Sequence, residues 1–228
     1  MNCKNTSHGN ILKKGGFTVV ELLVVMSIIA IIIGFTMPAM NTVLKGSQLT
    51  QAGQMINDQL NLARQIALTK NHSVEVRFYQ FGDPQAPGEQ TAVPASGRYR
   101  AIQAFEIQDS GSAVPLSKVQ QVPPSIIIDS GGALSSIISP PSAYVAPLPV
   151  LTSYSIQTVP IARVGTNYNT VAFRFLPDGS VNLSKISSNP WCLTLHNINE
   201  GDSLPAPKAN FITTQIDPSN GHIKTYRP

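Results

Sequence analysis

The chain has 228 residues and a formal net charge of +4 that is concentrated at its N-terminus. Three of the 16 basic residues (Lys4, Lys13 and Lys14) precede residue 17, where no acid occurs, which leaves 13 basic and 12 acidic residues in the rest of the chain. This nearly neutral remainder argues against a nucleic-acid-binding protein, because such proteins neutralise phosphates with many basic side chains.

The first predicted element is a transmembrane helix over residues 17–37, an apolar run of 21 residues in which Glu21 is the only ionisable side chain. At about 1.5 Å per residue, a helix of this length spans the roughly 30 Å core of a bilayer. Lys13 and Lys14 precede the run, and the positive-inside tendency places them in the cytoplasm. A secretory signal peptide is disfavoured, because the small pair Gly15-Gly16 lies before the apolar run and not after it.

Glu21 distinguishes this segment from a simple anchor. An acid at this depth costs about 3 kcal/mol or more unless it is paired, and such acids are functional candidates. No Lys or Arg occurs between residues 17 and 44. A free α-amino group would serve as counter-ion if the chain were cut just before the run.

The segment Gly16-Phe17-Thr18-Val19-Val20-Glu21 resembles the processing signal of type IV prepilins and type II secretion pseudopilins. The resemblance implies that a prepilin peptidase cuts between Gly16 and Phe17 and that Phe17 is then N-methylated. It also implies that Glu21 pairs with the methylated ammonium of Phe17 in a neighbouring subunit during assembly. Pro38 falls where pilins often carry a helix-kinking proline.

An amphipathic helix is predicted over residues 38–70, with one apolar face and a polar face opposite. Gly34, Gly46 and Gly53 lower helix propensity; they either permit bending or allow close packing. The apolar face consists of Leu49, Ala52, Ile56, Leu60, Ala63 and Ala67.

Residues 71–228 predict a β-rich head. In Ser73–Phe81, apolar residues alternate with polar ones, as in a half-buried strand. Further strands are predicted at Arg98–Ile107, Ser125–Asp129 and Trp191–His196, and as pairs flanking the turns at 177–179 and 218–221. Residues 108–165 are rich in proline and predict a surface insertion. The fold class is therefore α+β, a pilin fold in which a long N-terminal helix, half transmembrane and half amphipathic, packs on an antiparallel sheet of five to eight strands.

The head has narrower resemblances. The helix end Leu62-Ala63-Arg64-Gln65-Ile66-Ala67 and the turn segment 173–180 look like minor pseudopilin H and FimT-like minor pilins. The segments 74–79, 216–218 and 225–228 resemble the Verru_Chthon cassette protein D family.

Other kinds of site have little support. His72, His196 and His222 are far apart, and Cys192 with His196 lacks a second ligand pair, so we expect no metal and no cofactor. Cys3 lies in the predicted leader, residues 1–16, so the processed chain would keep Cys192 as its single thiol. We expect Cys192 to be a small buried residue on a strand. No catalytic motif occurs, so we expect no enzyme.

The sequence thus predicts a structural subunit of a secretion pseudopilus or pilus-like filament. The predicted partners are other pilin-like subunits, prepilin peptidase and the lipid of the bacterial inner membrane, with the head in the periplasm. The alternative is a DNA-binding or adhesive minor pilin. We do not expect nucleic acid as a partner, since Lys208, Lys224 and Arg227 form only a thin basic patch.

Overall fold

The structure is a computed structural model that describes residues 16–84, 86, 88–139, 159–185 and 190–228, with the side chains of 35–43 left out. Most of the predicted leader and residues 140–158 of the predicted insertion lie outside the described residues. The chain divides into two compact units, one ending at Val43 and one formed by Leu44–Pro228.

Helix α1 (Val19–Lys70) is assigned as one element. Pro38 lies within it, but its side chain is outside the described residues, and the kink stays a prediction. Among the described residues, no helix combines the length and the hydropathy that a bilayer crossing requires. The membrane-spanning role of residues 17–37 therefore also stays a prediction.

The second unit is built on an antiparallel sheet in the order β6-β1-β2-β5-β7-β8-β9, with β3 and β4 paired to β2. A helix packed on an antiparallel sheet confirms the predicted α+β class, but the predicted number of five to eight strands is too low. The nine strands found in the described residues are β1 (Val74–Phe81), β2 (Arg98–Ile107), β3 (Ala113–Pro115), β4 (Gln120–Gln121), β5 (Ile126–Ile128), β6 (Asn169–Phe175), β7 (Trp191–Asn197), β8 (Phe211–Ile216) and β9 (Ile223–Tyr226).

One face of the sheet packs against the predicted apolar face of α1, which confirms that prediction. All six residues of this stripe are at most 1% exposed. They form one hydrophobic core with the inward side chains of the strands, such as Val76, Phe78 and Ile102. At about 25 cal/mol per Å² of apolar area, this core is the main stabilising contribution of the head.

The prediction of a half-buried strand at β1 is wrong, because both of its faces are covered. Glu75 and Arg77 are each 2% exposed. The guanidinium of Arg77 lies 4.0 Å from the ring centroid of Phe105, and Glu75 bonds both Arg77 and Arg174 at 2.6 and 2.9 Å. Further along the same face, Ile161 joins a second apolar cluster.

Two strands were predicted to flank the turn at 177–179, and the second of them, over Ser180–Leu183, is not a regular strand. After the turn at 177–179, only Val181 pairs, in an isolated bridge with Phe175. Asn182 instead bonds the backbone of Arg174 with its side chain and its amide. Side-chain bonding to the backbone replaces a regular ladder here.

Gly53 allows a close approach between α1 and β8. A Cβ atom at this position would lie 2.7 Å from Cδ1 and 3.2 Å from Cγ2 of Ile212. A Cβ at Gly46 would meet nothing within 4 Å. Of the two explanations for the helical glycines, close packing therefore applies to Gly53.

We expect Gly53→Leu to lower the free energy of unfolding of the head by about 1–3 kcal/mol, because the added side chain overpacks Ile212. The matched control is Gly46→Leu, which should raise that free energy slightly through its better helix propensity. Urea unfolding of the full chain in detergent measures both. Equal effects of the two substitutions would contradict the packing explanation.

Candidate functional site

The start of α1 holds two of the predicted assembly residues in one short segment. Gly16 and Phe17 are non-helical, Thr18 is the N-cap residue, and Glu21 is the third helical residue. The amide of Thr18 donates to Oε2 of Glu21 at 2.9 Å, and the amide of Glu21 donates to Oγ1 of Thr18 at 3.2 Å. This reciprocal pair is a capping box, which satisfies two backbone donors that a helix start leaves open.

Glu21 keeps one carboxylate oxygen available. The hydroxyl of Thr18 also donates to Oε2, at 2.9 Å, so both Thr18 donors use the same oxygen. Among the described residues, Oε1 of Glu21 has no hydrogen-bond partner, and Glu21 has no ion pair. A cation supplied from outside the chain can therefore bind Oε1 while the capping box stays intact.

The scissile bond predicted between Gly16 and Phe17 lies before the helix begins. Residues 16–18 carry no regular secondary structure. The apolar side chains that follow are exposed, from Phe17 at 87% to Ile29 at 44%. A peptidase requires an unfolded backbone at the cut, and an apolar helix requires a partner or lipid to cover it.

Sequence reasoning identified Gly16, Phe17 and Glu21 but missed Thr18. The signal was present, because Thr followed by Glu three residues later, ahead of an apolar run, is typical of a capping box. Pro38 lies further along α1, away from Gly16, Phe17 and Glu21.

His196 and Asp129 form a buried pair in the head. Nε2 of His196 lies 3.1 Å from Oδ2 of Asp129, and Nδ1 lies 3.0 Å from the carbonyl oxygen of Asn197. The carbonyl oxygen accepts only, and so does Asp129 when it is ionised. With an ionised Asp129, both ring nitrogens therefore carry protons and the imidazole is charged. A carboxylate oxygen of Glu200 lies 3.6 Å from Nδ1.

This pair joins two loops to the sheet. Asp129 follows β5 and accepts the amides of Gly131 at 2.8 Å and Leu204 at 3.1 Å. Burial alone would lower the pKa of His196, but the bonds to Asp129 and Asn197 raise that pKa above its ordinary value. Burial alone would raise the pKa of Asp129, but the bonds from His196, Leu204 and Gly131 lower it. With side chains 1% and 0% exposed, the pair is closed to any substrate.

Metal-binding and thiol chemistry have no geometric support in the described part of the chain. No three His, Cys, Asp or Glu side chains there lie together in a way that could hold a metal ion. Cys192 is half-buried and not fully buried as predicted, with Sγ 3.4 Å from the carbonyl oxygen of Leu134.

The comparisons with known proteins agree with the N-terminal segment. Residues 11–37 match the family model of the prokaryotic N-terminal methylation motif. The match confirms the predicted methylation signal at the N-terminus. The narrower resemblances of the head stay predictions.

The chain is similar to a solved structure of the type IV minor pilin FimU of Pseudomonas aeruginosa. The similarity covers 80% of this chain and 93% of that chain, at 13% sequence identity and a TM-score of 0.39. At these values it carries no argument about function. No curated protein matches the chain.

The His196–Asp129 pair predicts a pH dependence of stability. The pKa of His196 is higher in the folded chain than in the unfolded chain, where it is about 6.5. The charged pair therefore contributes fully to the free energy of unfolding below pH 6.5, and this contribution is lost as the pH rises through the folded pKa. The difference in unfolding free energy between the unmodified chain and His196→Gln should therefore shrink from pH 6 towards pH 9, measured by urea unfolding. His222→Gln, at an exposed turn, is the control, and a difference that grows with pH would count against the charged pair.

Proposed function

We propose that this chain is made as a precursor in the inner membrane, cut between Gly16 and Phe17, and assembled as a subunit of a pilus-like or type II secretion filament. The observation that carries the proposal is the match of residues 11–37 to the methylation motif together with the position of Glu21 at the helix start. Cleavage would leave a free α-ammonium on Phe17, four residues before Glu21, and N-methylation would then modify this group.

The counter-ion for Glu21 comes from a neighbouring subunit in this proposal. In apolar surroundings, a carboxylate and an ammonium are each costly when alone and neutralise each other when paired. The capping box supports this role, because it fixes the carboxylate and leaves Oε1 open to a donor. Pairing would then set the axial register between subunits.

The head supports a structural role. It is held by a continuous apolar core and by buried ion pairs such as Arg77–Glu75 and His196–Asp129. Prepilin peptidase and other pilin-like subunits are the proposed partners, and the head would lie in the periplasm before assembly.

Two measurements test the proposal. Mass spectrometry of the chain, expressed with a prepilin peptidase, should give a mature species that begins with N-methylated Phe17. Glu21→Ala should be cleaved normally but recovered in sheared filaments at least about tenfold less, since a charge left alone in apolar surroundings costs about 3 kcal/mol or more.

Two control variants separate the charge from the helix start. Thr18→Val removes the capping hydroxyl but keeps the carboxylate, so it should assemble much better than Glu21→Ala. Asp58→Ala removes an exposed acid of the same helix and should assemble normally. A mature species that begins at Met1, or normal filament yield for Glu21→Ala, would overturn the proposal.

A further inference from the structure

The last strand, β9, lies at one end of the sheet and pairs only with β8 among the described residues. Its register is fixed by a bulge in the preceding turn. Gly221 has a φ of +63°, its amide donates to the carbonyl of Asp217 at 2.8 Å, and the amide of Asp217 donates to the carbonyl of His222 at 2.9 Å. This is the pattern of a bulge with glycine in the left-handed region.

The register decides which backbone groups of β9 face outward. In antiparallel pairs, hydrogen-bonded and non-hydrogen-bonded positions alternate. Starting from the Asp217 and His222 pair, Lys224 and Tyr226 bond β8, and the amides of Ile223 and Thr225 point away from it. Residues 224–228 are exposed, so this edge is open to solvent.

Three hydrogen bonds, spaced along helix α1, hold β9 and the residues on either side of it. Arg64 donates to the carbonyl of Asn220 at 3.1 Å, Asn57 donates to Oγ1 of Thr225 at 2.7 Å, and Arg227 donates to Oγ1 of Thr50 at 2.6 Å. The three helix residues are seven apart, which places them on one side of α1. An edge strand fixed in this way needs little ordering to accept another strand.

The opposite end of the sheet differs. There, Asn182 bonds both the amide and the carbonyl of Arg174 in β6, at 2.7 and 3.0 Å. These outward groups of β6 are therefore occupied by the chain itself, which leaves β9 as the better template for pairing.

The charged side chains next to β9 are mostly basic. Lys224 lies opposite Gln215, on the sheet face away from α1, where it lines a groove of about 400 Å³. The other charged or titratable residues of this groove are Lys185, His222 and Asp217. Arg227 follows the strand, and residues 218–228 contain no acid. Opposite charges on directly paired strands stabilise the pairing, whereas like charges oppose it.

We propose that β9 is a docking edge for an extended, acidic segment of another protein, which adds to the sheet as a tenth strand in the described order. Main-chain bonds to Ile223 and Thr225 supply the binding, and acidic side chains opposite Lys224 supply the selectivity. A second copy of this edge is disfavoured, because it would bring the same basic residues together. The proposal concerns the head and does not depend on processing at Phe17.

The main test removes one outward amide. Thr225→Pro deletes that N–H without deleting a bond to β8, as edge positions allow. Thr225→Val is the matched control, since it also loses the hydroxyl bonded to Asn57 but keeps the amide. The probe is a capped hexapeptide of alternating valine and glutamate, titrated onto the full chain in detergent.

We expect the hexapeptide to protect segment 222–227 from hydrogen exchange. Thr225→Pro should weaken binding about tenfold, and Thr225→Val by less than about threefold, given the usual net contribution of a hydrogen bond. A peptide with glutamine in place of glutamate should bind the unmodified chain more weakly. The acidic peptide should bind Lys224→Gln more weakly than it binds the unmodified chain.

Other outcomes would overturn the proposal. Equal weakening by the proline and valine variants would mean that backbone pairing is absent. If a single-stranded oligonucleotide displaced the acidic peptide equally well from the unmodified chain and from Thr225→Pro, the site would be a general polyanion surface. No protection by the acidic peptide at millimolar concentration would exclude the edge as an acidic-strand site.

Discussion

The head depends on the packing of α1 against the sheet. Half of the buried stripe of the helix consists of small residues, namely Ala52, Ala63 and Ala67, and Gly53 lies beside them. Small side chains let the helix axis approach the strands closely, so the larger side chains of β1, β7 and β8 fill the remaining space. Every other feature of the head is arranged around this contact, because the strands need one covered face to be stable.

Polar residues on both flanks of that stripe attach the rest of the chain to the helix. On one side, Thr50, Asn57 and Arg64 hold the C-terminal hairpin. On the other, Gln59 accepts a bond from Ser117 at 3.0 Å, and Lys70 bonds Glu106 at 2.6 Å. These exposed or half-exposed contacts each contribute little energy, but together they fix where the loops lie.

The two ends of the described helix serve different purposes. At its start, the capping box satisfies the backbone and positions a carboxylate in an apolar sequence. In the head, the helix packs on the sheet through its apolar stripe and bonds loops and the C-terminal hairpin through polar residues on both sides of that stripe.

The sequence by itself determined the elements whose signals are local. The apolar face of α1 and the hairpin around 218–221 follow from spacing and turn chemistry, and the capping box of Thr18 and Glu21 was readable in the same way. The N-terminal methylation motif followed from its resemblance to the prepilin signal. The sequence did not determine which faces of the sheet are covered. Glu75 and Arg77 alternate with apolar residues as an exposed face would, but they are buried, with Arg174 of β6 and Phe105 of β2 against them. The pairing of His196 with Asp129, the bonding of Asn182 to β6 and the open edge at β9 were likewise decided by tertiary structure, since each joins residues or strands whose sequence separation carries no periodic signal.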